Sequence, residues 1–361
     1  MNVFEFLQFD PAGFRQTLKE LDTRRDKLKL ILSLAGQIAL ASALCISFVM
    51  LFSALFGPAN SVVAVTILLC VQLFRGSGLG IRPTHGVWAV LLLFAVLAAG
   101  PEVAALLPPG WSFAANAGFI FLLVLIGCYN ASMSNQVILV LSYLLLMGLG
   151  VSGHDLAMRF AALGVGAAIT AGAYWWCRSA ADDDEASLAD VFRSFSLANE
   201  RSRWQVRLAL GVASSILFSE LIGWDRPVWA GISTMSVMMP VREASLKCVR
   251  QRFVWNIASC AIFLGVNAAV PLNTNNLMGL FTDVGFGLTA SLLWESMVNV
   301  ALTAFTVPAY DLPFAVLVRL AHNLMGATWG WASGSALDRL LGRFRRKLQR
   351  DAQDLAKLPD A

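Results

Sequence analysis

The chain has 361 residues, of which 57% are hydrophobic and only 14% are charged. A soluble domain carries about a quarter charged residues, so this composition excludes an ordinary soluble protein and indicates a polytopic membrane protein. The net charge of +4 does not indicate nucleic-acid binding, because the Lys and Arg residues lie in loops between apolar segments.

The sequence has no motif for a cofactor, a metal ion or a nucleotide. The six cysteines are isolated and form no CxxC pair, and the three histidines are far apart. A phosphate-binding loop of the GxxxxGK[ST] type is also missing. We therefore expect no cofactor, no metal site and no enzymatic activity.

The first half of the chain predicts a cytoplasmic segment followed by a membrane repeat. Residues 1–29 have mixed charges and no continuous apolar region, so they do not resemble a signal peptide. Residues 30–177 alternate apolar runs with polar loops and predict the first repeat. Its predicted spans are 30–56, 86–107, 113–128, 137–151 and 159–177, with a shorter apolar run at 61–74.

Residues 178–203 form a sizeable polar interruption and predict a cytoplasmic linker. Leu188, Val191 and Phe192 share one helical face there. An acidic run at 182–185 precedes them and suits the N-terminal end of a helix. A binding role for this acidic run is the alternative.

The second half predicts another membrane repeat, over residues 204–337, and then a basic cytoplasmic tail over 338–361. Its predicted spans are 204–222, 253–270, 277–294, 296–307 and 314–337. An apolar run at 228–239 lies between Pro227 and Pro240, and it is shorter than the roughly 20 residues that a bilayer crossing needs. This run predicts a broken or re-entrant element, at which transporters often bind their substrate. A buried helix within a bundle is the alternative.

Two features suggest that the halves are parallel repeats. Residues 159–161 with 166–167 have the same pattern and spacing as residues 319–321 with 326–327. An apolar segment shorter than its neighbours also comes second in each half. We therefore predict an all-α membrane protein of two parallel repeats, with about six helices each and ten to twelve in total.

Charge and aromatic residues predict how the chain lies in the membrane. Lys and Arg crowd both tails, the linker and the loops around Arg75 and Arg242. The positive-inside rule therefore places both termini in the cytoplasm of a bacterial inner membrane. Most tryptophans, including Trp175, Trp176 and Trp204, fall at predicted span ends, as an interfacial belt in contact with lipid requires.

Ionisable residues within spans are costly and therefore indicate candidate site residues. Arg319, His322 and Asn323 share one helical face at spacing i, i+3 and i+4. The guanidinium can pair with a substrate carboxylate, and the imidazole can couple transport to a proton. The counterpart of Arg319 in the first half, Arg159, has no His or Asn on its helical stripe. The alternative is that Arg319 extends to the lipid headgroups.

Five further residues complete the predicted substrate site. Asp283 is the expected partner of Arg319, and Glu295 marks a cytoplasmic span end. Arg250 and Arg252 could collect anions at the cytoplasmic mouth, or act only as topology anchors. Trp229 could stack on an aromatic ring, or only pack, as could Trp329. Glu220, Asp225 and Arg226 are interpreted as a solvated outer loop.

The stretch 225–233, DRPVWAGIS, followed by Pro240 and by arginines at the entry of the next span, resembles the fusaric-acid-resistance and aromatic-acid-exporter superfamily. That superfamily commonly shows a P-x-W-A-x-[IL]-[ST] segment. The related first-half stretch 58–62, PANSV, lacks the tryptophan. Larger members carry substantial cytosolic domains, so we expect a compact, membrane-only member. The resemblance implies export of small, often aromatic, organic acids, in many cases beside a periplasmic adaptor protein.

These observations lead to two hypotheses about function. The first is an inner-membrane exporter of small, aromatic organic anions, driven by protons because no nucleotide motif is present. The second is a non-transporting membrane subunit that partners a periplasmic adaptor protein of an efflux system. A polar cavity between the halves would favour the first hypothesis, and a fully apolar core the second. Neither involves nucleic acid.

Overall fold

The structure is a computed structural model that describes residues 23–76, 78–129, 135–179, 186–224, 226–240, 249–250, 253–254, 256–258, 260–261 and 312–355. These residues form helices and connecting loops, and no β-strand occurs among them. An isolated β-bridge between Ile81 and Ala186 joins a loop to the linker. The prediction of an all-helical protein is confirmed.

The helices are named in chain order. They are α1 (Arg24–Phe56), α2 (Ser61–Gly76), α3 (Pro83–Ala105), α4 (Pro109–Gly127), α5 (Gln136–Gly148), α6 (His154–Arg178), α7 (Leu188–Arg193), α8 (Glu200–Leu221), α9 (Val228–Val237) and α10 (Leu312–Leu355). The predicted spans at 277–294 and 296–307, and most of 253–270, lie outside the described residues. The count of two six-helix repeats therefore stays a prediction.

Four of the described helical segments are long and apolar enough to cross a membrane: α3, α4, α6 and Pro58–Arg75. The last of these is longer than predicted, because a 3-10 turn, Pro58–Asn60, leads directly into α2. The shorter apolar helices include α5 and α9. With 10 residues, α9 is about 15 Å long, half of the roughly 30 Å hydrocarbon core, so the short element between Pro227 and Pro240 is confirmed.

The chain divides into two compact units. One comprises Met1–Leu51 and Gln251–Ala321, and the other comprises Phe52–Arg250 and His322–Ala361. In the first unit, α1 exposes large apolar side chains, as a lipid-facing helix does: Leu28, Ile31, Leu32, Leu44, Met50 and Leu51. The domain boundaries predicted from the sequence stay a prediction.

In the second unit, α3 packs against α4, α5 and α6, while α2 packs against α5 and α6. The helix α8 packs against α4 and α9, and α9 also packs against α5. A glycine allows the close contact of α6 with α2, since a Cβ at Gly166 would lie 2.5 Å from Cγ1 of Ile67. Gly326, which the sequence pattern aligns with Gly166, has the same role between α10 and α9.

The linker is folded against the ends of α3 and α4 through α7. Ser187 caps α7: its Oγ accepts from the backbone N–H of Asp190 at 3.3 Å, and its own backbone N–H donates to Oδ2 of Asp190 at 2.9 Å. The Ser187 hydroxyl also donates to this carboxylate at 2.6 Å, which holds the pKa of Asp190 below its usual value. The N–H of Leu188 donates to Nδ1 of His85 at 3.0 Å. The linker is thus fixed to the first turn of α3.

Candidate functional site

Two indole rings, an imidazole and a guanidinium come together where the α8–α9 loop meets α10. We name this group, Trp224, Arg226, Trp229 and His322, the tryptophan–histidine cluster. The imidazole lies 4.5 Å from the ring of Trp224 and 5.5 Å from that of Trp229, in an edge arrangement with the latter. The guanidinium carbon of Arg226 lies 5.8 Å from the Trp229 ring, within cation–π distance. His322 is only 2% exposed, so the imidazole is buried, with both indole rings among its neighbours.

The backbone of the α8–α9 loop positions this cluster. Gly223 has φ +70° and Arg226 has φ +57°, so the chain reverses through two left-handed residues. This conformation costs a non-glycine residue about 1 kcal/mol or more. The carbonyl of Arg226 then accepts from the N–H of Trp229 at 3.1 Å, which starts α9 directly after Pro227. Arg226, interpreted from the sequence as part of a solvated loop, does lie in the α8–α9 loop, and it is half-buried with its guanidinium above Trp229.

Close contact between α9 and α10 fixes Trp229 relative to His322. The hydroxyl of Ser233 donates to the carbonyl of Asn323 at 2.6 Å, and that of Thr234 donates to the carbonyl of Gly326 at 2.8 Å. A Cβ on Gly326 would overlap the carbonyl oxygen of Ala230. Small residues and hydroxyl donors allow such an approach between helices in a membrane.

Trp329, the other candidate for stacking on a ligand, has a structural role. Its ring stacks on Phe218 with centroids 4.5 Å apart, and its Nε1 donates to Oγ of Ser214 at 2.9 Å. Both the face and the polar tip of this indole therefore have partners within the fold. Packing, one of the two alternatives for Trp329, is what the structure shows.

An ion pair lies near the other end of α8. Nη1 of Arg207 lies 2.8 and 2.7 Å from the two carboxylate oxygens of Asp338, and Nη2 donates to the carbonyl of Met239 at 2.7 Å. Beside it, Nε1 of Trp204 donates to the carbonyl of Met238 at 2.9 Å. These donors satisfy carbonyls that follow the last turn of α9. Inside a membrane such carbonyls need a donor from the protein, because no water is available to them. Trp204, expected in an interfacial belt, is 2% exposed.

Arg159 donates hydrogen bonds to carbonyls at the C-terminal end of α5, as Arg207 does after α9. It is 2% exposed, its Nη2 donates to the carbonyl of Leu149 at 2.6 Å, and its Nη1 donates to that of Leu146 at 3.3 Å. Its Nε donates to the side-chain oxygen of Asn60 at 3.2 Å, and Glu102 lies 3.9 Å away. The helical stripe of Arg159 carries no Asn, as the sequence indicates. The Asn that accompanies Arg159 is Asn60, which belongs to another segment.

The structure brings together only part of the predicted substrate site. Trp229 and His322 are in contact, and Asn323 is buried beside them. Arg319 lies one turn before His322 in α10 and is 3% exposed, while Arg250 is exposed. The remaining predicted residues, Asp283, Arg252 and Glu295, lie outside the described part of the chain.

Four contributors to these groups were not predicted from the sequence, namely Trp224, Arg207, Asp338 and Asn60. An arginine three residues inside a predicted span is the signal that could have found the ion pair, because a buried guanidinium requires a partner. Within the described part of the chain, no group of three or more His, Cys, Asp or Glu side chains is placed to hold a metal ion.

One family model matches the chain. Its description is "Fusaric acid resistance protein-like", and the match covers residues 212–333. No curated protein and no solved structure matches. The resemblance inferred from residues 225–233 is confirmed, and the match supports membership of the fusaric-acid-resistance superfamily. Together with the apolar helices, it indicates a membrane protein of a family associated with transport or efflux.

Proposed function

We propose that this chain is an inner-membrane exporter of small, aromatic organic anions, and that the tryptophan–histidine cluster forms part of its substrate site. The family match supports transport in general. The observation that carries the more specific proposal is the contact of the buried His322 with two indole rings, with the guanidinium of Arg226 above one of them.

The cluster offers one group for each part of an aromatic acid. An indole face or edge binds an aromatic ring, which adds about 0.5–1.5 kcal/mol beyond the burial of apolar area. A guanidinium pairs with a carboxylate through charge-assisted hydrogen bonds. Arg226 lies within cation–π distance of one indole of the cluster, and Arg319 is a second candidate because helical spacing places it on the stripe of His322 and Asn323.

His322 supplies a route for coupling to protons. Imidazole titrates near neutral pH, so its charge can change between the two sides of an energised membrane. A protonated His322 would attract the anion, and loss of the proton would release it. With the linker in the cytoplasm, as the positive-inside rule predicts, α8 would end at the periplasmic face and the cluster would lie on the exit side.

Export by cells tests this proposal. A strain lacking the protein should retain at least one aromatic acid from a panel of weak acids, and the wild-type gene should restore its release. Trp229→Ala should lose most of this release, whereas Trp111→Ala should not, because Trp111 is 69% exposed in α4 and outside the cluster. His322→Gln should flatten the dependence of export on external pH.

The alternative, a non-transporting subunit beside a periplasmic adaptor protein, predicts a different result. The purified chain in liposomes would then move no aromatic acid under any pH gradient, although deletion still weakens efflux by the cell. If no acid of the panel accumulates in the deletion strain while the protein is demonstrably present in the membrane, the exporter proposal is rejected.

A further inference from the structure

The Arg207–Asp338 pair has the chemistry of an anion site that is already occupied. We propose that Arg207 binds the carboxylate of an organic anion, and that Asp338 takes the place of this carboxylate when no anion is present. The inference rests on the proposed function and deepens it, because an exporter must also bind its anion at the end opposite the cluster. Arg207 lies near the start of α8, about 20 Å of helix from the loop that carries Trp224.

The two partners differ in how firmly the structure holds them. The side chain of Arg207 is 8% exposed and is tied to the carbonyl of Met239, whereas the side chain of Asp338 is 29% exposed. The carboxylate can therefore turn into water while the guanidinium stays in place. Exchange of one carboxylate for another at Arg207 needs a rotation of Asp338 and no movement of α8.

The guanidinium also has a donor that Asp338 does not use. Both carboxylate oxygens bind the same nitrogen, Nη1, and Nη2 serves Met239. Nε of Arg207 is buried and has no acceptor among the described residues. An incoming carboxylate can thus replace both contacts of Asp338 and has a further donor within reach, which an arginine uses well because its donors lie in one plane.

An internal carboxylate also explains how this site remains stable when it is empty. A buried guanidinium without a counter-ion is strongly destabilising, so an anion site at this depth needs a substitute between two transport cycles. The first half differs at the equivalent position. The separation between Arg159 and Arg319 equals that between Arg178 and Asp338, so the repeat pattern aligns an arginine, Arg178, with Asp338.

Exchange at this site would act on the contact between α8 and α10. Asp338 belongs to α10 and Arg207 to α8, so an anion that displaces the carboxylate removes a link between the two helices. The carbonyls after α9 keep their donors throughout, because Trp204 and Nη2 of Arg207 do not take part in the exchange. The anion thus loosens α10, which carries His322, without uncapping α9.

Benzoate binding by the purified full-length protein in detergent tests the proposal. The rise in melting temperature with benzoate concentration gives the dissociation constant, with sodium chloride at equal ionic strength as the reference. Asp338→Asn removes the internal competitor and should bind benzoate roughly three- to tenfold more tightly. Asp26→Asn is the matched control, since it also removes a carboxylate from an ion pair, that with Lys29, but an exposed one, and it should bind as the wild type does.

A charge exchange separates an anion site from a purely structural pair. The double variant Arg207→Asp with Asp338→Arg keeps an ion pair and should regain most of the melting temperature that a single Arg207→Asp loses. It should still bind benzoate about tenfold more weakly than the wild type, because the guanidinium is no longer held beside Met239. A structural pair predicts recovery of stability with no effect on benzoate.

Three results would overturn the inference: benzoate binding that is unchanged or weaker in Asp338→Asn, wild-type binding by the charge-exchanged protein, or no stabilisation by benzoate in any variant. Its failure is distinguishable from failure of the proposed function. If benzoate binding responds as expected but cells export no aromatic acid, the anion site at Arg207 stands and the exporter proposal fails. If Trp229→Ala loses export but the benzoate dissociation constant is the same in Asp338→Asn and the wild type, only the inference fails.

Discussion

Replacing Gly326 by alanine tests whether the close approach of α9 and α10 holds the tryptophan–histidine cluster together. The new Cβ would overlap the carbonyl oxygen of Ala230 and lie 2.8 Å from Cβ of Ser233. A backbone oxygen cannot rotate away, so the two helices must separate. Overpacking of this kind costs about 1–3 kcal/mol, and the weakened hydroxyl bonds of Ser233 and Thr234 add to it. Alanine recovers at most about 1 kcal/mol of helix propensity, so we expect a net destabilisation of about 2 kcal/mol.

The assay is thermal unfolding of the purified protein in detergent, combined with export by cells. Gly164→Ala is the matched control, because a Cβ at Gly164 in α6 would meet no atom within 4 Å. This control should be neutral or more stable by up to about 1 kcal/mol. Gly326→Ala should also weaken export, because Trp229 moves away from His322 when the helices separate. Wild-type melting and export in Gly326→Ala would show that α9 and α10 are not in the contact described, and the argument for the cluster would fail with it.

Three further predictions concern the groups that hold the helix ends and the linker. Arg159→Lys keeps the charge but loses the planar set of donors that reaches Asn60 and the end of α5, so thermal unfolding should show a loss of about 2–3 kcal/mol; a loss below about 0.5 kcal/mol would contradict this role. Trp204→Phe leaves the Met238 carbonyl without its donor and should cost about 1–2 kcal/mol in the same measurement, and unchanged stability would reject the cap. The pKa of Asp190 is lowered by its hydrogen bonds, so the contribution of its carboxylate is present above the usual pKa and lost as the pH falls below it. Protease cleavage of the linker should therefore increase in acid for the wild type and be fast already at neutral pH for Asp190→Asn; equal protection of both proteins at neutral pH would refute it.

Properties that depend on length and hydropathy could be predicted from the sequence. The all-helical fold and the short element α9 follow from the lengths of apolar runs, since a bilayer imposes one length scale on every span. The pairing of Trp229 with His322 was partly predictable, because the family motif marks one residue and the helical stripe marks the other. Each signal is local, so each could be found without the tertiary structure.

Contacts between distant segments had no such signal. Arg207 and Asp338 are 131 residues apart in the chain, and Arg159 and Asn60 are 99 apart, so no periodicity connects the partners. The role of Arg226 depends on a left-handed backbone conformation that its residue type disfavours. Sequence patterns report which side chains share a helix face, and they do not report which carbonyls at a helix end need a donor from elsewhere.

The shortness of α9 has a consequence for how the protein is assembled during synthesis. A segment of 10 residues is too short to cross a bilayer on its own, and the hydroxyls of Ser233 and Thr234 on its buried side find their acceptors in α10. Those acceptors, the carbonyls of Asn323 and Gly326, are made roughly ninety residues later. The helices α5 and α8, against which α9 also packs, are made before it, so α9 can associate with them first. Its hydrogen bonds to α10 form only when the last described helix has been made, and a chain that stops short of α10 leaves the hydroxyls of Ser233 and Thr234 without these acceptors.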